Sequence, residues 1–143
     1  MNKVYLLIAF LFCMQGTGFA QNPNPNWHSL GPVNMPAYMG RVNCIAARPG
    51  QPDTLFVGTP GGGVWRSDDG GATWVPRSDF LSVLGVSAIV IDPSSPETVY
   101  IATGDADAGV TPSIGVWKSI DGGTNWAGTG LSWPLTEYRQ IYT

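Results

Sequence analysis

The chain has 143 residues, a length that suggests one domain, and its 43% hydrophobic content is ordinary for a globular protein. Only 12% of the residues are charged, and 19 Gly and 12 Pro favour many short strands and tight turns over helices. Seven basic and ten acidic residues give a net charge of −3, which excludes the basic patch that a nucleic-acid partner requires.

Residues 1–20 contain the three parts of a secretory signal peptide in the expected order. Lys3 supplies the positive start, the apolar run "VYLLIAFLF" follows, and Gly18 and Ala20 are the small residues before a cut ahead of Gln21. The run is too short to span a membrane comfortably, and the alternative is a buried N-terminal strand. We therefore predict a secreted or extracytoplasmic protein with no membrane span after cleavage. Cleavage leaves Cys44 without a disulfide partner in the chain, as a small buried hydrophobe.

Two blocks of the remaining sequence recur along the chain. Val42–Thr59 matches Val86–Thr103 at an offset of 44 residues, with Val, Ile, two Pro and two Thr in common. Gly63–Trp74 matches Gly115–Trp126 at an offset of 52, so the second copy has eight extra residues between the blocks. Such self-similarity is the mark of a repeat architecture.

A unit of 44 to 52 residues is the length of a four-stranded propeller blade. The units lack a 3.6-residue apolar stripe and have Pro or Gly at every junction, which disfavours a helical repeat. We predict an all-β fold, a β-propeller of four-stranded antiparallel blades. About two blades are present, blade 1 over residues 42–85 and blade 2 over residues 86–137.

The flanking sequence extends this pattern. Residues 138–143 read as the start of a third, truncated blade. Within the N-terminal segment 21–41, "NWHSLGPVNMP" is similar to "NWAGTGLSWP" after the second repeat, so Trp27 reads as a strand that closes the ring. Because two blades cannot close a ring, we expect the remaining blades in a longer chain.

Each blade reads as strands A to D, with a Pro-containing turn between A and B. The predicted strands of blade 1 are Val42–Arg48, Thr54–Thr59, Gly63–Ser67 and a short strand from Thr73. Those of blade 2 are Val86–Asp92, Thr98–Thr103, Gly115–Ser119 and a short strand from Asn125.

The C–D turns are two octapeptides, "SDDGGATW" and "SIDGGTNW". Each Asp can accept hydrogen bonds from backbone N–H groups just ahead, the glycines allow positive φ, and each Trp anchors strand D. The alternative is a calcium loop, but an EF-hand needs alternating ligands and a distal Glu, and Ile120 replaces the first acid. The predicted structural residues are Ser67, Asp69, Gly71, Thr73, Trp74, Ser119, Asp121, Gly123, Asn125 and Trp126.

The pattern S-x-D-x-G-x-T-W resembles the Asp-box, or BNR repeat, of sialidases, sortilin-type ectodomains and xyloglucanase-type glycoside hydrolases. The phrase around "GGVWRSDDGGATW" is similar to the sortilin-like and xyloglucanase-like group in particular, and the resemblance runs from Trp27 to the C-terminus. It implies a propeller in which the boxes lie away from the active centre. Asn125, where Thr is usual, is a mild departure because Asn also bonds to local backbone.

Strand order places the B–C and D–A loops at the end of each blade opposite the boxes, where propeller ligands usually bind. Asp105 and Asp107 lie there in the inserted loop "GDADAGVTPSI". We interpret them as solvated acidic residues, the alternative being a weak D-x-D ion site. Arg41, near the start of strand A, reads as a blade-end hydrogen-bond donor.

The resemblance also allows a test for catalysis. Xyloglucanase-type enzymes have a catalytic Asp in a first-blade phrase like "RxDIGGAYR", and Pro60 occupies that position here in "GTPGGGVWR". Sialidases need an arginine cluster, but only five Arg follow the signal peptide. His28, the only His, reads as structural or solvated. No catalytic residue, metal site or cofactor is therefore predicted.

The sequence favours a secreted or cell-surface propeller that binds a protein or carbohydrate ligand without catalysis. The alternative is part of a secreted glycoside hydrolase, xyloglucanase-like or sialidase-like, whose catalytic residues lie in the missing blades. A protease-associated or assembly-factor propeller is a third reading.

Overall fold

A computed structural model describes residues 41–105, 111–137 and 139. The predicted signal peptide, the predicted closing strand at Trp27, His28 and Asp107 lie outside the described residues. The same holds for the predicted start of a third blade, except for Arg139.

The described residues form two four-stranded antiparallel sheets, which confirms the all-β prediction. Each sheet has its strands side by side in chain order, as a propeller blade does. This part of the chain has no α-helix and no helix long and apolar enough to cross a membrane; a 3₁₀ turn covers Leu135–Glu137. The strands of the first sheet are β1 Cys44–Arg48, β2 Gln51–Gly58, β3 Val64–Ser67 and β4 Val75–Pro76, and those of the second are β5 Val86–Ile91, β6 Val99–Thr103, β7 Gly115–Ser119 and β8 Ala127–Ser132.

Strand pairing repeats from one sheet to the next. Phe56 lies opposite Arg66 in blade 1, and Tyr100 lies opposite Lys118 in blade 2. The Arg66 guanidinium lies 5.6 Å from the Phe56 ring centroid, and the Lys118 ammonium lies 5.4 Å from that of Tyr100. Equivalent sequence positions therefore have the same register and the same cation–π contact.

Only β7 has its predicted bounds; the other strands begin or end one to three residues away from them, and the departures of β2, β4 and β8 are the largest in effect. β2 begins at Gln51 rather than Thr54, because only Pro49 and Gly50 make the turn and Gly50 takes up its positive φ of 76°. β4 has two residues, whereas β8 has six. β4 ends early because the Val64 N–H donates to Ser78 Oγ at 2.7 Å instead of to a strand carbonyl.

The core lies between the two sheets. It combines side chains of both blades with one residue of the connection between them: Phe56, Val64, Leu81, Val86, Val99, Ile101 and Trp126. Cys44 packs against this cluster, and burial raises the pKa of its thiol. The sheets thus bury their apolar faces on each other, as neighbouring repeat units do.

Polar contacts reinforce the interface between the blades. The Trp126 Nε1–H donates to the Arg77 carbonyl at 2.8 Å, and Arg66 Nη1 donates to the Gly122 carbonyl at 2.9 Å. The Val86 N–H donates to the Thr59 carbonyl at 2.9 Å, close to the start of β5. These bonds fix the second blade against the first at both ends of the strands.

Candidate functional site

The strand order separates two groups of connections. The octapeptides lie between β3 and β4 and between β7 and β8. The β2–β3 and β6–β7 loops and the chain after β4 and β8 lie at the other end of the blades, here called the loop end. Ligand contacts were predicted at the loop end.

The first octapeptide is a hydrogen-bonded turn around Asp69. Its Oδ1 accepts from Ser67 Oγ at 2.7 Å and from the Thr73 N–H at 2.8 Å, and its Oδ2 accepts from Thr73 Oγ1 at 2.6 Å. The Gly71 N–H donates to Ser67 Oγ at 2.8 Å. Gly71 has a φ of 95°, which turns its N–H inward at little steric cost. Trp74 closes the turn by donating to the Gly71 carbonyl at 2.9 Å.

The second octapeptide repeats this geometry with a different side chain. Asp121 Oδ1 accepts from Ser119 Oγ at 2.7 Å and from the Asn125 N–H at 2.8 Å. Asn125 Nδ2 donates to Asp121 Oδ2 at 2.7 Å, the bond that the Thr73 hydroxyl makes in the first turn. The Gly123 N–H donates to Ser119 Oγ at 2.8 Å. Trp126 differs from Trp74 in its hydrogen bond. Its indole N–H donates to the Arg77 carbonyl of the preceding blade, whereas that of Trp74 donates within its own turn.

These bonds determine what the two carboxylates can do. Hydrogen bonds from Thr73 lower the pKa of Asp69 to about 2, and those from Asn125 lower that of Asp121 to about 2. A carboxyl with such a pKa holds no proton near neutral pH and cannot act as a general acid. Both of its oxygens accept bonds within the turn, so the geometry is that of a structural turn.

The described residues also bear on the metal alternatives. They contain no group of three or more His, Cys, Asp or Glu side chains that could hold a metal ion. Asp107, half of the D-x-D alternative, lies outside them.

Asp105 is the carboxylate that the structure places at the loop end. We expected a solvated loop residue, and this was wrong, because Asp105 is only 4% exposed. Its Oδ2 accepts from Arg41 Nη2 at 2.5 Å, a contact between residues 64 positions apart. A buried carboxylate needs such a partner, and Arg41 brings it from the chain that enters β1.

Asn43 joins this pair and was not predicted from sequence. Its Nδ2 donates to the Val86 carbonyl at 3.1 Å and lies 3.5 Å from Asp105 Oδ1. Its Oδ1 is buried, and among the described residues it has no hydrogen-bond partner. One feature of the sequence could have indicated its role: Asn43 is a polar residue within the apolar run at the start of β1.

Two threonines at equivalent positions of the repeat organise the β2–β3 and β6–β7 loops beside the Arg41–Asp105 pair. Thr59 Oγ1 accepts from the Gly62 N–H at 2.8 Å, and Thr103 Oγ1 accepts from the Ile114 N–H at 2.9 Å. Thr111 Oγ1 donates to the Pro60 carbonyl at 3.2 Å, which ties the β6–β7 loop to blade 1. The two threonines occupy equivalent positions of the repeat, and no role was predicted for them.

Comparison with known proteins identifies relatives that are similar to part of this chain. No protein-family model matches the chain. It is 31% identical over 70 residues to an oligoxyloglucan-reducing end-specific xyloglucanase of Emericella nidulans, over 46% of this chain and 9% of that protein. It is 33% identical over 89 residues to xyloglucanase Xgh74A of Acetivibrio thermocellus, over 58% and 11%. It is 30% identical over 98 residues to a xyloglucanase of Paenibacillus, over 64% and 10%.

The fold has a solved counterpart. An ancestral GH74 enzyme superposes with a TM-score of 0.52 and 22% identity, over 62% of this chain and 12% of that chain. At this identity the likeness shows the fold alone. The matched segments span about a tenth of the curated relatives, from 9% to 11% of their length. Part of this chain is thus similar in sequence to GH74 xyloglucanases, and its fold is that of GH74 propeller enzymes.

Proposed function

We propose that these two blades belong to a secreted glycoside hydrolase that acts on xyloglucan or a related β-glucan. The observation that carries the proposal is the similarity of 70 to 98 residues of this chain to three xyloglucanases. The predicted signal peptide over residues 1–20 supports export. A secreted glycoside hydrolase is the alternative that the sequence left open.

In this proposal the described blades hold the glucan, and the carboxylates that cleave it lie elsewhere in the protein. A glycosidase needs two carboxyl groups about 5 to 9.5 Å apart across the sugar bond. At the loop end, Asp105 is buried against Arg41, and Pro60 occupies the position where the resemblance implies an acid. Proline has no group for proton transfer. The role that suits Asp105, Arg41 and Asn43 is therefore to shape and position the binding surface.

A propeller that binds protein or glycan without catalysis is the second candidate function. Pro60 favours it, because its side chain cannot replace the expected acid and its carbonyl is bonded to Thr111. In this reading the loop end holds a ligand that is never cleaved.

Assays of the full-length protein on xyloglucan, unsubstituted β-glucan and sialosides separate the two functions. Hydrolysis predicts new reducing ends from xyloglucan, while the binding propeller predicts retention in a xyloglucan-containing gel with no new reducing ends. A protein that neither cleaves nor retains any of these glycans would contradict both a hydrolase and a glycan-binding propeller, and would leave a propeller that binds protein.

The positioning role has its own test. Asp105→Asn removes the charge that holds Arg41, and we expect KM to rise by about tenfold with little change in kcat. Asp79→Asn, at an exposed residue of the connection after β4, is the matched control and should behave as wild type. A fall in kcat with KM unchanged would instead give Asp105 a part in the chemical step.

A further inference from the structure

A pocket at the outer edge of blade 2 belongs to no site described above. It lies where β8 ends, at the loop end, and has a volume of about 280 Å³. Leu131, Trp133 and Pro134 supply apolar lining, and Glu137 and Arg139 supply charged groups. Small-molecule sites have this character, an apolar wall with a few polar groups, and a volume of about 300 Å³ is the lower end of their range.

The walls of the pocket are held in place. The Trp133 Nε1–H donates to the Ser113 carbonyl at 2.7 Å, so one edge of the indole is anchored to the β6–β7 loop. The Ser113 N–H donates to the Arg139 carbonyl at 3.0 Å, and the Glu137 N–H donates to the Pro134 carbonyl at 3.0 Å. Because the indole and the backbone around it are positioned beforehand, a ligand would lose little entropy in ordering them.

The charges of the pocket compensate each other. Arg139 Nη2 lies 2.8 Å from Glu137 Oε2, and both side chains remain solvent-accessible, at 62% and 41%. The guanidinium also lies 5.4 Å from the Trp133 ring centroid. A paired Arg and Glu offer donors and acceptors together but no net charge, which suits adjacent hydroxyl groups better than an anion or a cation.

We propose that this pocket binds one neutral hexopyranose unit of a saccharide chain. The sugar ring packs its C–H groups against the apolar wall, and its hydroxyl groups bond to Glu137 and Arg139. The inference deepens the proposed function and rests on it for the choice of a glucan, while the pocket itself is argued from Trp133, the ion pair and the volume.

The test is calorimetric titration of the full-length protein with two intact probes, neutral cellotetraose and an acidic oligogalacturonide. Trp133→Ala removes the indole and should weaken cellotetraose binding by about tenfold. Phe80→Ala is the matched control, because it removes an exposed aromatic side chain from the connection after β4 and should leave binding unchanged. Leu131→Trp adds bulk at an exposed residue of the pocket and should weaken binding even if the alanine variant does not fold.

The outcomes separate this proposal from the proposed function. Weaker binding in the Trp133 and Leu131 variants, with wild-type binding in the Phe80 variant, supports the pocket even if no substrate is cleaved. Wild-type affinity in a folded Trp133→Ala variant overturns the pocket, even if xyloglucan is hydrolysed. No binding of cellotetraose, or a preference for the acidic probe, also overturns it.

Discussion

Trp126 is the side chain through which the stability of the blade interface is best tested. It is 8% exposed in the shared core, and its indole N–H bonds to the Arg77 carbonyl of the preceding blade. Trp126→Ala removes a large buried group and should cost about 3 to 5 kcal/mol of unfolding free energy. This is a large share of the roughly 5 to 15 kcal/mol that holds a domain folded. Trp126→Phe keeps most of the packing and loses the hydrogen bond, so about 1 to 2 kcal/mol should be lost.

Urea unfolding, followed by circular dichroism, measures both losses. We expect the midpoint to fall for both variants, and about twice as far or more for the alanine variant. If Trp126→Ala lost less than about 1 kcal/mol, the two sheets would not pack through this residue. Equal losses for both variants would assign the whole effect to the bond with Arg77.

Three further predictions concern the turns and the strand junctions. The folded pKa values of about 2 for Asp69 and Asp121 lie below the ordinary 3.8, so their contribution is complete above about pH 4 and is lost as pH falls to 2. The urea midpoint should therefore drop over that interval, and less so in a variant with both aspartates changed to Asn. Gly115→Ala should prevent folding, because Gly115 has a φ of 90° and an added Cβ would lie 2.1 Å from a β8 carbonyl oxygen, whereas Gly130→Ala meets open space and should fold normally. Asn125→Thr should leave the melting temperature nearly unchanged, because threonine makes the same bond in the first octapeptide.

The fold could be predicted because the sequence contains two copies of the same unit, which can be aligned with each other. Two copies of each block place equivalent residues in equivalent strands, and the structure shows this register at Phe56 and Tyr100. The length of β4 could not be predicted in the same way. It depends on Ser78, which bonds to the Val64 N–H across blade 1, and this contact leaves no local pattern.

The loop end was less predictable for the same physical reason. Asp105 stands in a polar stretch, and its burial depends on Arg41, 64 residues earlier in the chain. Trp133 and Arg139 likewise stand in different predicted blades, and the 3₁₀ turn and the bonds to Ser113 bring them together. Patterns along the chain identify elements, but sites form from contacts between distant elements.

The measurement that tests the proposed function most directly is the incubation of the full-length protein with xyloglucan in ¹⁸O-enriched water, followed by mass spectrometry. Hydrolysis transfers the oxygen of water to the anomeric carbon of the new reducing end, while the other new end keeps the glycosidic oxygen. We predict shorter oligosaccharides that carry one heavy oxygen per cut. Intact xyloglucan that is retained by the protein and carries no label would contradict a hydrolase and leave a binding propeller.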